Sequence, residues 1–182
     1  MRKILFAAVA VISLLACNNT KKYEAPIEAL STQWDQTTAK VADFATMIAQ
    51  EMANAEIMTG GVQPVADIVT DDSDEITREM AELGGLLLEE KAKIKAVNVE
   101  VNDFVKVWSE RTESLTGLKD GLAGGNLGAE TETTIAELQT AIADAGLKMA
   151  DWTERLSAAK KKMTNTAKER GRVLGVGVSA RN

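Results

Sequence analysis

Residues 27–58 read IEALSTQWDQTTAKVADFATMIAQEMANAEIM, and their spacing decides the fold. Ile27, Leu30, Trp34, Thr37, Val41, Phe44, Ile48, Glu51, Ala55 and Met58 recur at alternating steps of three and four. That period places them on one stripe of an α-helix, a heptad seam that has to be covered by other helices. The first helix is expected over 26–58, with Pro26 in its first turn, where a missing N–H costs nothing. Thr59-Gly60-Gly61 is the stop, and Val62 to Thr70 a connection.

Downstream, Asp71, Asp72 and Asp74 supply N-cap candidates and acids for the positive end of a second helix. Asp72 with Glu75 three residues on resembles a capping box. This helix is expected over about 73–122. Its seam is Ile76, Met80, Leu83, Leu87, Glu90, Ile94, Val97, Val101, Phe104, Trp108, Arg111, Leu115, Leu118 and Leu122. Gly84-Gly85 lies inside it. Residues 121–128, GLAGGNLG, form a glycine-rich turn and not a phosphate loop, since no strand precedes them and no Gly-Lys-Ser/Thr follows. The third helix is expected over about 129–172. Its seam is Ile135, Leu138, Ile142, Ala145, Met149, Trp152, Leu156, Ala159, Met163, Thr166 and Arg170, with a loose tail over 175–182. Three sustained seams predict an all-α fold, an antiparallel up-down-up three-helix coiled-coil bundle over 26–174. A weak repeat surrounds the tryptophans: Trp34-Asp35-Gln36-Thr37, Trp108-Ser109-Glu110-Arg111 and Trp152-Thr153-Glu154-Arg155.

If the turns are symmetric, partners on the first two helices have numbers summing to about 132, and those on the last two to about 252. Trp34 and Trp152 then share a layer near Val97. Glu51 is expected to pair with Arg170, and Glu90 to face Lys161 or Lys162.

Composition narrows the function. Aromatic residues make up 4% of a chain that is 45% hydrophobic, so Ala, Leu, Val, Ile and Met carry the core. Removing Arg2 and Lys3 with a cleaved leader from the 21 basic residues leaves 19 against 27 acidic, a net charge of −8. That balance argues against nucleic acid as a partner. There is no histidine and one cysteine, Cys17. A cysteine–histidine nucleophile, a zinc site and a di-iron site of the Glu-x-x-His type are therefore not expected. No cofactor and no catalytic residues are expected.

Met1-Arg2-Lys3 is a positive start, and Ile4 to Leu15 an apolar run of signal-peptide length. It closes on Leu14-Leu15-Ala16-Cys17. This resembles the lipobox of bacterial lipoproteins. The resemblance implies a signal peptide over 1–16, diacylglyceryl transfer to the Cys17 sulfur, cleavage before it, and palmitate or a similar chain on the new amine. Asn18, where aspartate would retain a lipoprotein at the inner membrane in enteric bacteria, leans towards the outer membrane, facing the periplasm. Residues 17–25 are expected as the lipidated cysteine and a short tether.

The remaining candidates are charge clusters. Lys160, Lys161, Lys162, Lys168 and Arg172 suit the negative end of the third helix, and also an anionic partner such as lipid head groups or a cell-wall polymer. Asp71, Asp72 and Asp74 lack the spacing of a calcium loop. Two readings of the body stand. One is a non-enzymatic scaffold or spacer in the cell envelope, contacting an envelope protein or the wall. The other is a carrier or holdase for apolar molecules, with the tryptophans lining its interior. Self-association is open if Leu86, Leu88, Val99 and Val105 are exposed.

Overall fold

The computed structural model describes the backbone of residues 2–62 and 74–180, and the side chains of 20–62 and 74–175. Among the described residues there are three α-helices and no strand: α1 (Arg2–Thr59), α2 (Glu75–Ala123) and α3 (Thr131–Ala180). The chain is an all-α three-helix bundle. Contacts divide it into two compact units, Met1–Ala42 with Phe104–Lys148, and Asp43–Asp103 with Met149–Asn182.

In the first unit, Trp34 reaches Thr112 while Thr38 reaches Trp108, so numbers rise on α1 as they fall on α2. Lys22 and Tyr23 of α1 both bond Glu132 of α3. Side chains of Ile27, Leu30, Trp34, Trp108, Leu115, Leu138 and Ala141 fill the seam. In the second unit, Glu100 meets Trp152, Glu90 meets Lys162 and Glu79 meets Arg172, the ladder of two antiparallel helices. These pairs sum to 251 or 252, as expected from the α2–α3 turn. Phe44–Trp152 and Glu51–Lys160 place α1 parallel to α3 there. Ile48, Ala55, Leu87, Ile94, Val97, Val101, Leu156 and Met163 are its core.

The α1–α2 register differs from expectation. Its pairs, Trp34–Thr112, Thr38–Trp108 and Glu56–Lys91, sum to 146 or 147 and not to 132. Side-chain locks between the helices hold this stagger, which the long connection constrains only weakly. Trp34 and Trp152 therefore do not share a layer: Trp34 stacks on Trp108, and Trp152 packs against Phe44.

The helix ends follow local chemistry. Gly61 closes α1 at φ +77°, a left-handed conformation that glycine adopts without a Cβ penalty, with Val62 N bonded to Thr59 O at 3.0 Å. Asp74 caps α2, its Oδ1 accepting from Thr77 N at 2.7 Å. The Asp72–Glu75 box lies partly outside the described residues, as do Asp71 and Asp72 as calcium candidates. Gly125, at φ +67°, closes α2, and Thr131, the first residue of α3, donates its hydroxyl to Gly128 O at 2.7 Å, tying the turn to the helix start.

Two boundaries move outward by several residues. Residues 18–24, expected as a tether, are helical, because Lys22 and Tyr23 are fastened to Glu132 on α3. Pro26 consequently stands inside α1 and not in its first turn, and withholds one backbone hydrogen bond from it. α3 runs on to Ala180 in place of a tail from Gly175; Val173, 3% exposed, holds the turn before it, and interior glycines weaken a helix by only about 1 kcal/mol each.

The seams hold at their centres and slip at isolated points. Thr59 is buried where Met58 was expected, Ala81 and Gly84 where Met80 and Leu83 were, and Ala141 where Ile142 was. Arg111 is exposed. A straight helix rotates by about 20° per heptad against a strict 3.5-residue repeat, enough to carry the stripe onto a neighbouring position.

Candidate functional site

The first unit contains a reciprocal clasp. The Trp34 and Trp108 rings stack at 3.8 Å with 8° between their planes. Face-to-face overlap is not the arrangement that ring quadrupoles prefer, so other bonds have to hold it. Trp34 Nε1 donates to Thr112 Oγ1 at 3.1 Å, and Trp108 Nε1 donates to Thr38 Oγ1 at 2.9 Å. Each threonine hydroxyl donates in turn to the carbonyl of the tryptophan four residues before it, at 3.0 Å for Thr112 and 2.8 Å for Thr38. Both indole N–H groups, on residues 1% and 4% exposed, are thereby satisfied. Thr38 and Thr112 were missed from sequence. The signal was Trp-x-x-x-Thr, present at 34–38 and again at 108–112.

In the second unit the charged seam residues find partners other than the expected ones. Glu51 pairs with Lys160 and not with Arg170. Along parallel α1 and α3, Arg170 lies ten residues beyond Lys160, about 15 Å further on. Its buried Nε has no hydrogen-bond partner. Glu90 does face Lys162, at 3.9 Å, and takes a closer bond from Lys93 at 2.8 Å. Its carboxylate is 7% exposed, and its second oxygen is buried without a partner. Glu100 accepts from Trp152 Nε1 at 2.9 Å and holds Arg155 by two bonds of 2.7 Å. Those bonds, with a further one to Asp151, push the Arg155 guanidinium further towards its charged form.

The proposed anionic-partner patch is largely spent inside the bundle. Lys160 goes to Glu51, Lys162 lies near Glu90, and Arg172 bonds Glu169 at 2.6 Å and approaches Glu79 at 3.9 Å. The Arg172 bond holds the Glu169 carboxyl below its ordinary range. Lys161 and Lys168 are left on the surface.

At the start of the first unit, Cys17 is a residue of α1, one turn before Thr20. Tyr23 Oη donates to Glu132 Oε1 at 2.8 Å and Lys22 Nζ to the same oxygen at 3.1 Å. The tyrosine bond first, then the lysine bond, lowers the Glu132 carboxyl; Lys22 is raised first by its own interaction with the Tyr23 hydroxyl and then by Glu132. Beside this clamp, α1 and the end of α2 form an open groove of about 710 Å³. Its sides carry Lys21, Glu24, Glu28 and Lys119 over a floor of Ile27 and Leu122.

No helix among the described residues is long and apolar enough to cross a membrane. No group of three or more His, Cys, Asp or Glu able to hold a metal occurs among them. Comparison with protein-family models, curated proteins and solved structures finds no match to this chain.

Proposed function

We propose that the chain is a lipid-anchored envelope protein, held to a membrane through Cys17, whose helical bundle acts as a non-enzymatic spacer or scaffold presented towards the periplasm. The observation that carries this is the continuity of α1: one helix of 58 residues runs from the lipobox-like segment through Cys17 into the seam of the bundle. A helical junction transmits position and direction from anchor to body, which a flexible tether does not. The spacer is favoured over the carrier because the tryptophans pack against other rings, Trp34 on Trp108 and Trp152 against Phe44. Leu86, Val99, Val105 and Val107 are exposed on α2 while Leu88 is half-buried, and scattered exposed apolar side chains are ordinary on protein surfaces.

Growing cells with labelled palmitate tests the anchor. Label is expected on the wild-type chain and lost in Cys17→Ser; label that persists in the variant overturns it. Crosslinking in intact cells tests the role: recovery of one envelope protein or wall fragment supports a scaffold, whereas co-purifying apolar molecules in stoichiometric amount overturn it in favour of a carrier.

A further inference from the structure

A carboxylate with one idle oxygen stands between α2 and α3 in the second unit. Glu90 is 5% exposed. Its Oε1 accepts from Lys93 Nζ at 2.8 Å. Its Oε2 is buried and has no hydrogen-bond partner. Such an oxygen gives up its hydration for nothing, which buried polar atoms of folded proteins rarely do. The fold has little use for the carboxylate, since an apolar side chain of similar size serves a bundle core as well or better. A group that costs stability where it stands points to a binding role.

Glu90 lines an open cleft of about 260 Å³. Spacing makes this cleft. Glu90, Lys93 and Ala96 follow at steps of three along α2, and Arg155, Ala159 and Lys162 at steps of three and four along α3, so each set shares a helix face. Alanine at 96, 158 and 159 leaves the hollow that larger side chains would fill. One water takes about 30 Å³ in the liquid, so the volume is several times what a single bridging water needs.

Charge narrows the occupant. An added anion would lie against the idle Glu90 oxygen. An added cation would meet Lys93, Arg155 and Lys162 on the walls. Lys93 is engaged by Glu89 and Glu90, and Arg155 by Glu100 and Asp151. Lys162 is held more loosely, 3.9 Å from Glu90 Oε1, beyond hydrogen-bond distance. The cleft therefore offers one strong acceptor, Glu90 Oε2, and one strong donor, Lys162 Nζ, beside alanine methyl groups. A neutral hydroxyl serves both, donating to the carboxylate and accepting from the ammonium. Hydroxyls on a compact ring, whose C–H face rests on alanine, are the chemistry of a sugar.

We propose that this cleft binds one neutral pyranose ring of a saccharide. Glu90 Oε2 accepts from a ring hydroxyl, Lys162 donates to that hydroxyl or its neighbour, and Ala96, Ala158 and Ala159 receive the C–H face. The site goes beyond the spacer reading by giving the bundle a glycan contact of its own, and it does not depend on lipid at Cys17. A ligand of about a dozen non-hydrogen atoms in an open cleft binds in the millimolar range.

The full chain, labelled with ¹⁵N and with ¹³C in its alanine methyl groups, is purified in a polyoxyethylene detergent, which carries no sugar. It is titrated by NMR with methyl β-glucopyranoside and with 2-methoxytetrahydropyran, the same ring frame without hydroxyls. Saturable shifts of the Ala96, Ala158 and Ala159 methyl signals are expected with the glucoside and not with the bare ring. Glu90→Gln keeps the shape, and Lys93 then holds the remaining oxygen, so the glucoside should bind about tenfold more weakly. Glu90→Met should abolish binding, and Lys162→Met should weaken it about threefold to tenfold. Thermal unfolding verifies that each variant is folded. No saturable shift at the three alanines, an equal response to the bare ring, or glucoside affinity unchanged in Glu90→Gln overturns the proposal. Tighter binding of inorganic phosphate or of ethylammonium at the same signals overturns the assignment to a neutral sugar. Palmitate labelling of Cys17 reads the anchor separately, and neither result alters the other.

Discussion

Replacing Thr112 by valine changes almost nothing except one oxygen. The side chains have nearly the same shape, and their helix propensities are close. What is lost is the acceptor for Trp34 Nε1, 3.1 Å away on a residue 1% exposed. A buried donor left without a partner costs about 1–3 kcal/mol. The Trp108 carbonyl, which also loses the threonine hydroxyl, keeps its helical bond. Taking about 2 kcal/mol and a urea slope near 2 kcal/mol per M, the midpoint should fall by about 1 M. In a thermal scan the same loss corresponds to about 4–8 °C for a chain of this size. Near-UV circular dichroism is the assay of choice, because it follows the stacked indoles themselves. A second background separates the hydrogen bond from general packing. In Trp34→Phe there is no N–H to strand, so Thr112→Val should cost no more than about 0.5 kcal/mol, leaving a coupling energy of about 1.5 kcal/mol. If Thr112→Val costs the same in both backgrounds, the bond does not hold the clasp and the account of the α1–α2 register fails.

Pro26→Ala should stabilise the chain by about 1–3 kcal/mol, because position 26 then donates to the helix around it; a neutral outcome in thermal unfolding would return Pro26 to a helix start. Glu90→Met should be neutral or raise stability by about 1 kcal/mol, since it removes a carboxylate with one stranded buried oxygen and leaves Lys93 and Lys162 free to reach water; a loss above about 1 kcal/mol in urea unfolding would show the pair to be net favourable. Glu89, Glu132 and Glu169 titrate below the ordinary carboxylate range because Lys93, Tyr23 with Lys22, and Arg172 favour their charged forms. A depressed carboxylate contributes stability above its unfolded value and loses it as pH falls through the folded one. The melting temperature should therefore decline between about pH 5 and pH 2, less steeply in Glu132→Gln; a curve unchanged by that substitution would refute the contribution of the Tyr23–Lys22 clamp.

Much of the fold could be read in advance because heptad spacing is a local property. Ile27 to Ile48 on α1, and Ile94 to Trp108 on α2, were assigned to the core one side chain at a time, and each is buried. The short α2–α3 turn also gave its register, since a tight connection leaves two helices few ways to align. The longer connection after Gly61 constrains the stagger weakly, and there the expectation failed. With it went the Trp34–Trp152 layer and the Glu51–Arg170 pair, since both were computed from that stagger. Glu90–Lys162 survived because it depends only on the other turn.

The amino-acid sequence alone determined that the chain forms long helices with one apolar stripe each, and that its only thiol closes a segment resembling a lipobox. Both are encoded within a few consecutive turns, where residue type and spacing act directly. Tertiary structure decided which stripe position meets which. The two Trp-x-x-x-Thr segments lie 74 residues apart, and only when α1 and α2 dock do their indoles and hydroxyls complete one another. The same docking brings Lys119 from α2 beside Lys21, Glu24 and Glu28 of α1. A hydrogen bond or a charge cluster between helices depends on their relative sliding, and a repeating apolar seam tolerates several such slides until specific side chains select one.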